Sequence, residues 1–400
     1  MSTNLQRVVS TGLCAVPFAC IAMQLPGSGF AALGGAAFAI HRLHRAGTRG
    51  YLAPLALMTF ALGVYAVLAW SMPDAFNELR PFEALLTVAY GVPAGMYLAL
   101  LAHETDEQAA RTTWLGVAAL IAGVALFAAI SGFEDGNVPG PDAAASMMGG
   151  WMRFDHVGVF SANDFAPYAA PLTVLALAAG IGVLLPTRKS EVLVIVAGVV
   201  VSVIVAYLVM RRTAIASAAA SLVVAAVLGR HAIGRLSLRR LAWLASLAVG
   251  AALVFFVLSD RTLRREVTAR TGAMTEQFTE AEGDNRFDLL AEAVSLIAAN
   301  PGGHARKGMT SQVWARNLVL DVGLSTGIAG MLAVSLALLV PAWRTVRVIR
   351  AGAMRESPLF HVLLAQFGAV IVASQIVRPN LSYLAFVCLF TGYVYALPRK

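Results

Sequence analysis

Charge is what this chain has least of. Only 13% of its 400 residues are Asp, Glu, Lys or Arg, about half the share of a soluble globular domain. With 58% hydrophobic residues and a mean hydropathy of +0.73, there is too little polar surface to clothe an aqueous globule, which points to a polytopic membrane protein. Cysteine is nearly absent: Cys14, Cys20 and Cys388 each sit inside an apolar run, with no paired spacing and no histidine at ligand distance. A disulfide framework and a zinc site are thereby excluded, and nothing calls for a metal or a cofactor. Internal repeats, low-complexity tracts and a separable soluble domain are missing too. Acid is scarcer than base, 22 residues against 30 for a net charge of +8, but in a membrane protein such an excess marks cytoplasmic loops and does not imply nucleic acid as a partner. The first apolar run, Val8 to Leu25, follows Arg7 but lacks a small-residue cleavage site leading into a soluble domain, so it reads as the first span.

What is present is a series of runs long enough to cross a bilayer, which takes about 20 apolar residues in a helix. Twelve are expected, near 8–25, 28–41, 51–72, 82–102, 113–131, 164–186, 190–210, 212–229, 240–259, 317–342, 358–377 and 380–397. The expected fold is therefore an all-α polytopic membrane protein of about 12 transmembrane helices in one integral domain. Residues 1–258 hold nine spans, 259–316 a long outer loop containing an amphipathic helix, and 317–400 three spans. Alternate short loops carry Arg42, Arg45 and Arg49, then Arg188 and Lys189, then Arg230 to Arg240, then Arg344, Arg347, Arg350 and Arg355, with Arg399 and Lys400 at the end. Positive charge stays inside, so both termini are expected in the cytoplasm.

Ser259 to Asn317 is the one long polar segment. Its second half has helical periodicity from Asp284 to Ala299, with Phe287, Leu290, Ala291, Val294 and Ile297 or Ala298 on the apolar stripe. Asp284 or Asn285 is placed to cap its start and Asn300-Pro301 to stop it. The helix is too short to span, and lies on the bilayer surface or against the bundle. Arg286 then occupies its first turn, where free N–H groups and a guanidinium both favour an anion. Arg212, Arg286, Arg316 and Arg378 all fall at outward span ends or loops, where arginine needs partners. Guanidinium forks hold phosphate oxygens bidentately and do not deprotonate, so several in one cavity suit a diphosphate. Each taken alone also fits an arginine reaching lipid headgroups or pairing with Asp260, Asp284 or Asp321.

Three segments resemble the O-antigen ligase and polymerase superfamily, multi-span glycosyltransferases that use undecaprenyl-diphosphate-linked glycans. Gly158 to Asn163, followed by Phe165, Tyr168 and Pro171, is similar to the glycine, phenylalanine, asparagine entry into a mid-chain span. Met210-Arg211-Arg212-Thr213-Ala214 resembles a Ser-Arg-x-Ala turn with Arg211 in the serine's place. The third piece runs from Asn285-Arg286-Phe287 to Asn300-Pro301-Gly302-Gly303 and on to Asn317-Leu318, Gly323, Gly327, Ile328 and Gly330. It is similar to an arginine, amphipathic helix, Pro-x-x-Gly segment followed by an Asn-x-x-Leu, Glu-x-Gly-x-x-Gly span opening. The likeness covers roughly residues 155 to 332, and order and spacing carry it.

The resemblance implies metal-independent glycan transfer on the periplasmic face of a bacterial inner membrane. The donor is an undecaprenyl-diphosphate glycan; the acceptor is lipid A-core, another surface or growing glycan, or a protein hydroxyl, and membrane lipids surround the protein. Arg212 and Arg286, with Arg211 and Arg316 beside them, would hold the diphosphate, and Asn163, Asn317 and Arg378 would support the site. The chain departs from the pattern where a histidine is expected ahead of the asparagine: it has Trp314-Ala315-Arg316, and arginine is no base at neutral pH. His304 in the glycine-rich turn is the candidate base, with His156, Asp321 or Asp288 as alternatives. Ligase, polymerase, transporter and a non-catalytic glycan binder all stay open. Against a transporter stand the lack of two related halves and the scarcity of ionisable residues at span centres.

Overall fold

The computed structural model describes residues 28–47, 52–70, 81–104, 286–303, 317–351, 358–374 and 381–397, with isolated positions from 9 to 20 and at 50. These belong to one compact unit built from Met1–Val117 and Arg286–Lys400; a second unit, Ala118–Asn285, lies outside the described residues. Every element is a helix: α1 Ser28–Arg45, α2 Leu52–Trp70, α3 Pro81–Glu104, α4 Arg286–Ala299, α5 Leu318–Arg350, α6 Pro358–Ser374 and α7 Leu381–Ala396. Three are long and apolar enough to cross a membrane, at Leu52–Ala69, Leu85–Ala102 and Leu318–Arg350, and α7 carries a shorter apolar stretch, Leu384–Ala396. The described part is thus an all-helical membrane protein. Spans expected between 113 and 259 fall outside the described residues.

The centre of the unit is the seam between α3 and α7. Lipid tails are as apolar as leucine, so helices in a bilayer gain by close backbone packing rather than by hiding apolar surface from water, and small residues permit that approach. Gly91 lies against Cys388 and the carbonyl of Ala385, Gly95 against the carbonyl of Leu389, and Gly392 against the carbonyl of Val92. Around the seam, α6 adds an aromatic layer: Phe367 stacks on Phe390 with centroids 4.5 Å apart, and Phe360 meets Phe390 and Tyr393 at 6.4 Å. On the other side α1 packs on α3, where the Arg42 Nε donates to the Tyr97 hydroxyl at 3.1 Å. Helix α2 packs on both α3 and α5, burying Met58, Leu62 and Tyr65.

Helix α5 runs for 33 residues, about 50 Å of helix against a hydrocarbon core of about 30 Å. Arg344, Arg347 and Arg350, expected in a loop beyond a span ending near 342, instead form its last two turns. The reason is visible in Arg344, which is buried: its Nε donates to the carbonyl of Val394 and its Nη2 to that of Leu397, both at 3.2 Å. Val394 lies in the last turn of α7 and Leu397 directly follows its end, where carbonyls have no intrahelical donor. The guanidinium also lies 5.5 Å from the centroid of Tyr395. A charged residue that counts toward membrane topology in the sequence is here a cap for a neighbouring helix.

Because carbonyls stand where a β-carbon would go, Gly95→Ala and Gly392→Ala should each lower thermal stability by about 1 to 3 kcal/mol through overpacking. Gly63→Ala on α2, with nothing within 4 Å of the added methyl, should be neutral or stabilising, as read from melting in detergent.

Candidate functional site

The described part of the polar segment is α4 with its turn, Arg286 to Gly303, and it is built onto the start of α5. Helix α4 ends where the sequence predicts. The Asn300 backbone N–H and side-chain amide both donate to the carbonyl of Leu296, at 2.9 and 3.2 Å, and Gly303 N–H closes the turn on the carbonyl of Asn300 at 3.0 Å. Its packed face differs from the expected stripe. Ala293 and Ile297 are the buried positions, packed with Leu324 and flanked by Leu296, Leu320 and Met331, while Val294 is 54% exposed and Ala291 and Ala298 are exposed as well. The helix rotates this way because Gly323 leaves a hollow that Ile297 fills; a β-carbon at Gly323 would come within 2.8 Å of Ile297 Cδ1. Of the two expected settings, bilayer surface or bundle, α4 takes the second.

The turn after α4 then enters a break in α5. Gly327 has φ 73° and ψ −169° in the middle of that helix, a conformation open essentially to glycine alone. The Ile328 N–H, turned away from the α-helical ladder, donates to the carbonyl of Pro301 at 3.0 Å. A side chain at Gly327 would meet the Pro301 carbonyl, Gly302 and Gly303. The two motif pieces quoted for the third resemblance, far apart in sequence, therefore form one packed object. The sequence predicts one span near 317–342; the structure breaks it at Gly327, where the Pro301 turn docks, and the glycines at 323, 327 and 330 beside Pro301-Gly302-Gly303 are the signal that points to it.

The contacts also fix direction. Ile297 meets Gly323 and, four residues on, Pro301 meets Gly327 and Ile328, so α4 and α5 run the same way here. Arg286 stands eleven residues before Ile297 and Asn317 six before Gly323. At 1.5 Å per residue both lie at the same end, with Arg286 about 7 Å further along the axis. That end is capped. Asn317 Oδ1 accepts from the N–H groups of Val319 and Leu320, both at 3.1 Å, and Asp321 Oδ2 accepts from the Asn317 N–H at 3.1 Å. This reciprocal cap occupies the Val319 and Leu320 donors in the first turn of α5, which are therefore not free to hold an anion. Asp321 is 1% exposed and engaged in the cap, whereas Asp288 is exposed in the first turn of α4. Next along α5, Ser325 and Thr326 hydroxyls donate back to the carbonyls of Asp321 and Val322 at 3.1 and 2.8 Å.

No family model matches the chain, and neither does any curated protein. Function therefore rests on the residues and their placement. Among the described residues no group of three or more His, Cys, Asp or Glu is placed to hold a metal ion. Arg286 is the first residue of α4 and Asn317 caps α5. Arg211, Arg212, Asn163, His156, His304, Arg316 and Arg378 lie outside the described residues, as do Asp284 and Asn285.

Gly327→Ala should cost on the order of 1 to 3 kcal/mol in backbone strain alone and expel the Pro301 turn. Limited proteolysis between Asn300 and Gly303 should accelerate in that variant, while Gly302→Ala, with open space around it, should cut like the wild type.

Proposed function

We propose that this protein transfers a glycan from an undecaprenyl-diphosphate donor to an acceptor hydroxyl, at the membrane face opposite the Arg347 and Arg350 end of α5. The observation that carries the reading is the seating of the Pro301 turn in the Gly327 break, which holds the arginine-led helix and the asparagine-capped helix side by side with Arg286 and Asn317 at one end. Depth supports it. Gly327 lies sixteen residues before Trp343, about 24 Å of helix, and Asn317 a further ten residues, about 15 Å. With Trp343 at one interface, Asn317 and Arg286 come to the other, where a lipid-linked diphosphate sits. Lipopolysaccharide ligation with lipid A-core as acceptor, or polymerisation of a surface glycan, follows from the resemblance, as does an inner-membrane location with the site in the periplasm.

The chemistry assigned to the residues is a displacement at the anomeric carbon. The acceptor oxygen forms a bond to that carbon, the bond from the carbon to the diphosphate oxygen breaks with its electron pair, and undecaprenyl diphosphate departs. Arg286 and Arg212, with Arg211 and Arg316, neutralise the charge growing on that leaving group. His304 takes the acceptor proton. The second reading, favoured by Arg316 standing where a histidine is expected, is a protein that binds the lipid-linked glycan without transferring it.

Reconstitution with purified undecaprenyl-diphosphate glycan and candidate acceptors separates the two. Transfer insensitive to chelator, lost in Arg286→Ala and Arg212→Ala and lowered about 10² to 10⁴-fold in His304→Ala with donor binding retained, supports the enzyme. Donor binding with no product from any acceptor supports the binder, and binding unaffected by either arginine substitution refutes both.

A further inference from the structure

The exposed side of α5 carries an inference that does not depend on the proposed transfer reaction. Ile328, Leu332, Leu336, Leu339, Trp343 and Val346 are each between 38% and 63% exposed. At 100° per residue these six positions fall within about an 80° arc, so they make one continuous apolar face. From Ile328 to Val346 the face is eighteen residues long, about 27 Å, enough for an acyl chain to lie along it.

The face ends in charge of one sign. Arg347 and Arg350 are exposed on the same side, and the Arg347 guanidinium lies over the Trp343 ring, 5.0 Å from its centroid. No acidic residue occurs between Ile328 and Arg350. Arg344, between them, points the other way into the α7 cap. Tryptophan settles at the headgroup level of a bilayer, and exposed arginines just beyond it meet lipid phosphates.

From this juxtaposition we infer that the outer face of α5 is a binding surface for an anionic phospholipid, whose phosphate is held by Arg347 and Arg350 beside Trp343 and whose acyl chain lies along Leu339, Leu336 and Leu332. A zwitterionic lipid would bring a choline or amine to the same place. Two exposed arginines, with no acid among the residues from Ile328 to Arg350, select the lipid whose headgroup is net negative.

The test uses the full chain in nanodiscs containing increasing fractions of dibrominated phosphatidylglycerol or dibrominated phosphatidylcholine, with the emission of Trp343 obtained as the difference between wild type and Trp343→Phe. Both lipids should quench that emission, and half-quenching should need on the order of tenfold less phosphatidylglycerol than phosphatidylcholine at low salt. The preference should shrink at high salt and fall to near unity in Arg347→Gln/Arg350→Gln, with quenching by phosphatidylcholine kept, which also reports that the variant is inserted. Emission quenched by neither lipid would mean that protein covers the face and would overturn the inference. Equal quenching by the two lipids in the wild type, or a preference that survives both salt and the double substitution, would overturn it as well. The wild-type salt series decides even where the double variant does not assemble.

Discussion

The hydrogen bond from the Ile328 N–H to the Pro301 carbonyl is the interaction on which the arrangement of the described unit turns. A helix crossing lipid has no water to satisfy a donor released by a break, so irregular backbone is tolerated there only where protein supplies the partner. Gly327 makes the break and the Pro301 turn fills it. The consequence reaches both ways: α5 keeps its kink because α4 is docked, and α4, fourteen residues long and too short to be stable alone, keeps its position because the kink receives it. Arg286 inherits its place from that mutual support.

The other end of α5 shows the same economy of polar groups. Three arginines fall within two turns, and geometry divides them: Arg344 satisfies the orphan carbonyls of α7, while Arg347 and Arg350 stay on the outer face with Trp343. One helix thus holds a capped, broken end that meets α4 and a cationic end that meets α7 and the outside. Its middle is closed on one side by α2 and α7 and open on the other.

Much of the helix layout was legible from composition because spanning a bilayer is a demand on length and apolarity. The expected 28–41, 51–72, 82–102, 358–377 and 380–397 correspond to α1, α2, α3, α6 and α7 within a few residues. The stop of α4 at Asn300-Pro301 was legible for a local reason, since proline cannot continue a helix. What the chain hid was orientation. The apolar residues of α4 cover a wide arc, so periodicity alone centres the stripe near Val294; small partners such as Ala293 and Gly323 turn the packed face toward Ile297, and Val294 is left outside. The Gly327 break was hidden for a related reason, because a glycine within an apolar run reads as close packing as readily as a kink. Of the candidate site, Arg286 at the head of α4 and Asn317 at the head of α5 were legible from motif spacing, and their presence at one end was not, because it depends on a long-range contact.

The central claim is that α4 runs alongside the start of α5 with Arg286 and Asn317 at the same end. Electron–electron distance measurements test it directly, with spin labels introduced by Asp288→Cys paired with Val319→Cys or with Ala351→Cys, and Cys14, Cys20 and Cys388 replaced by alanine. At 1.5 Å of rise per residue and 8 to 10 Å between helix axes, the docked arrangement predicts a backbone separation on the order of 12 Å for the first pair and roughly 55 Å for the second. Similar distances for the two pairs, or a first pair longer than the second, would contradict it.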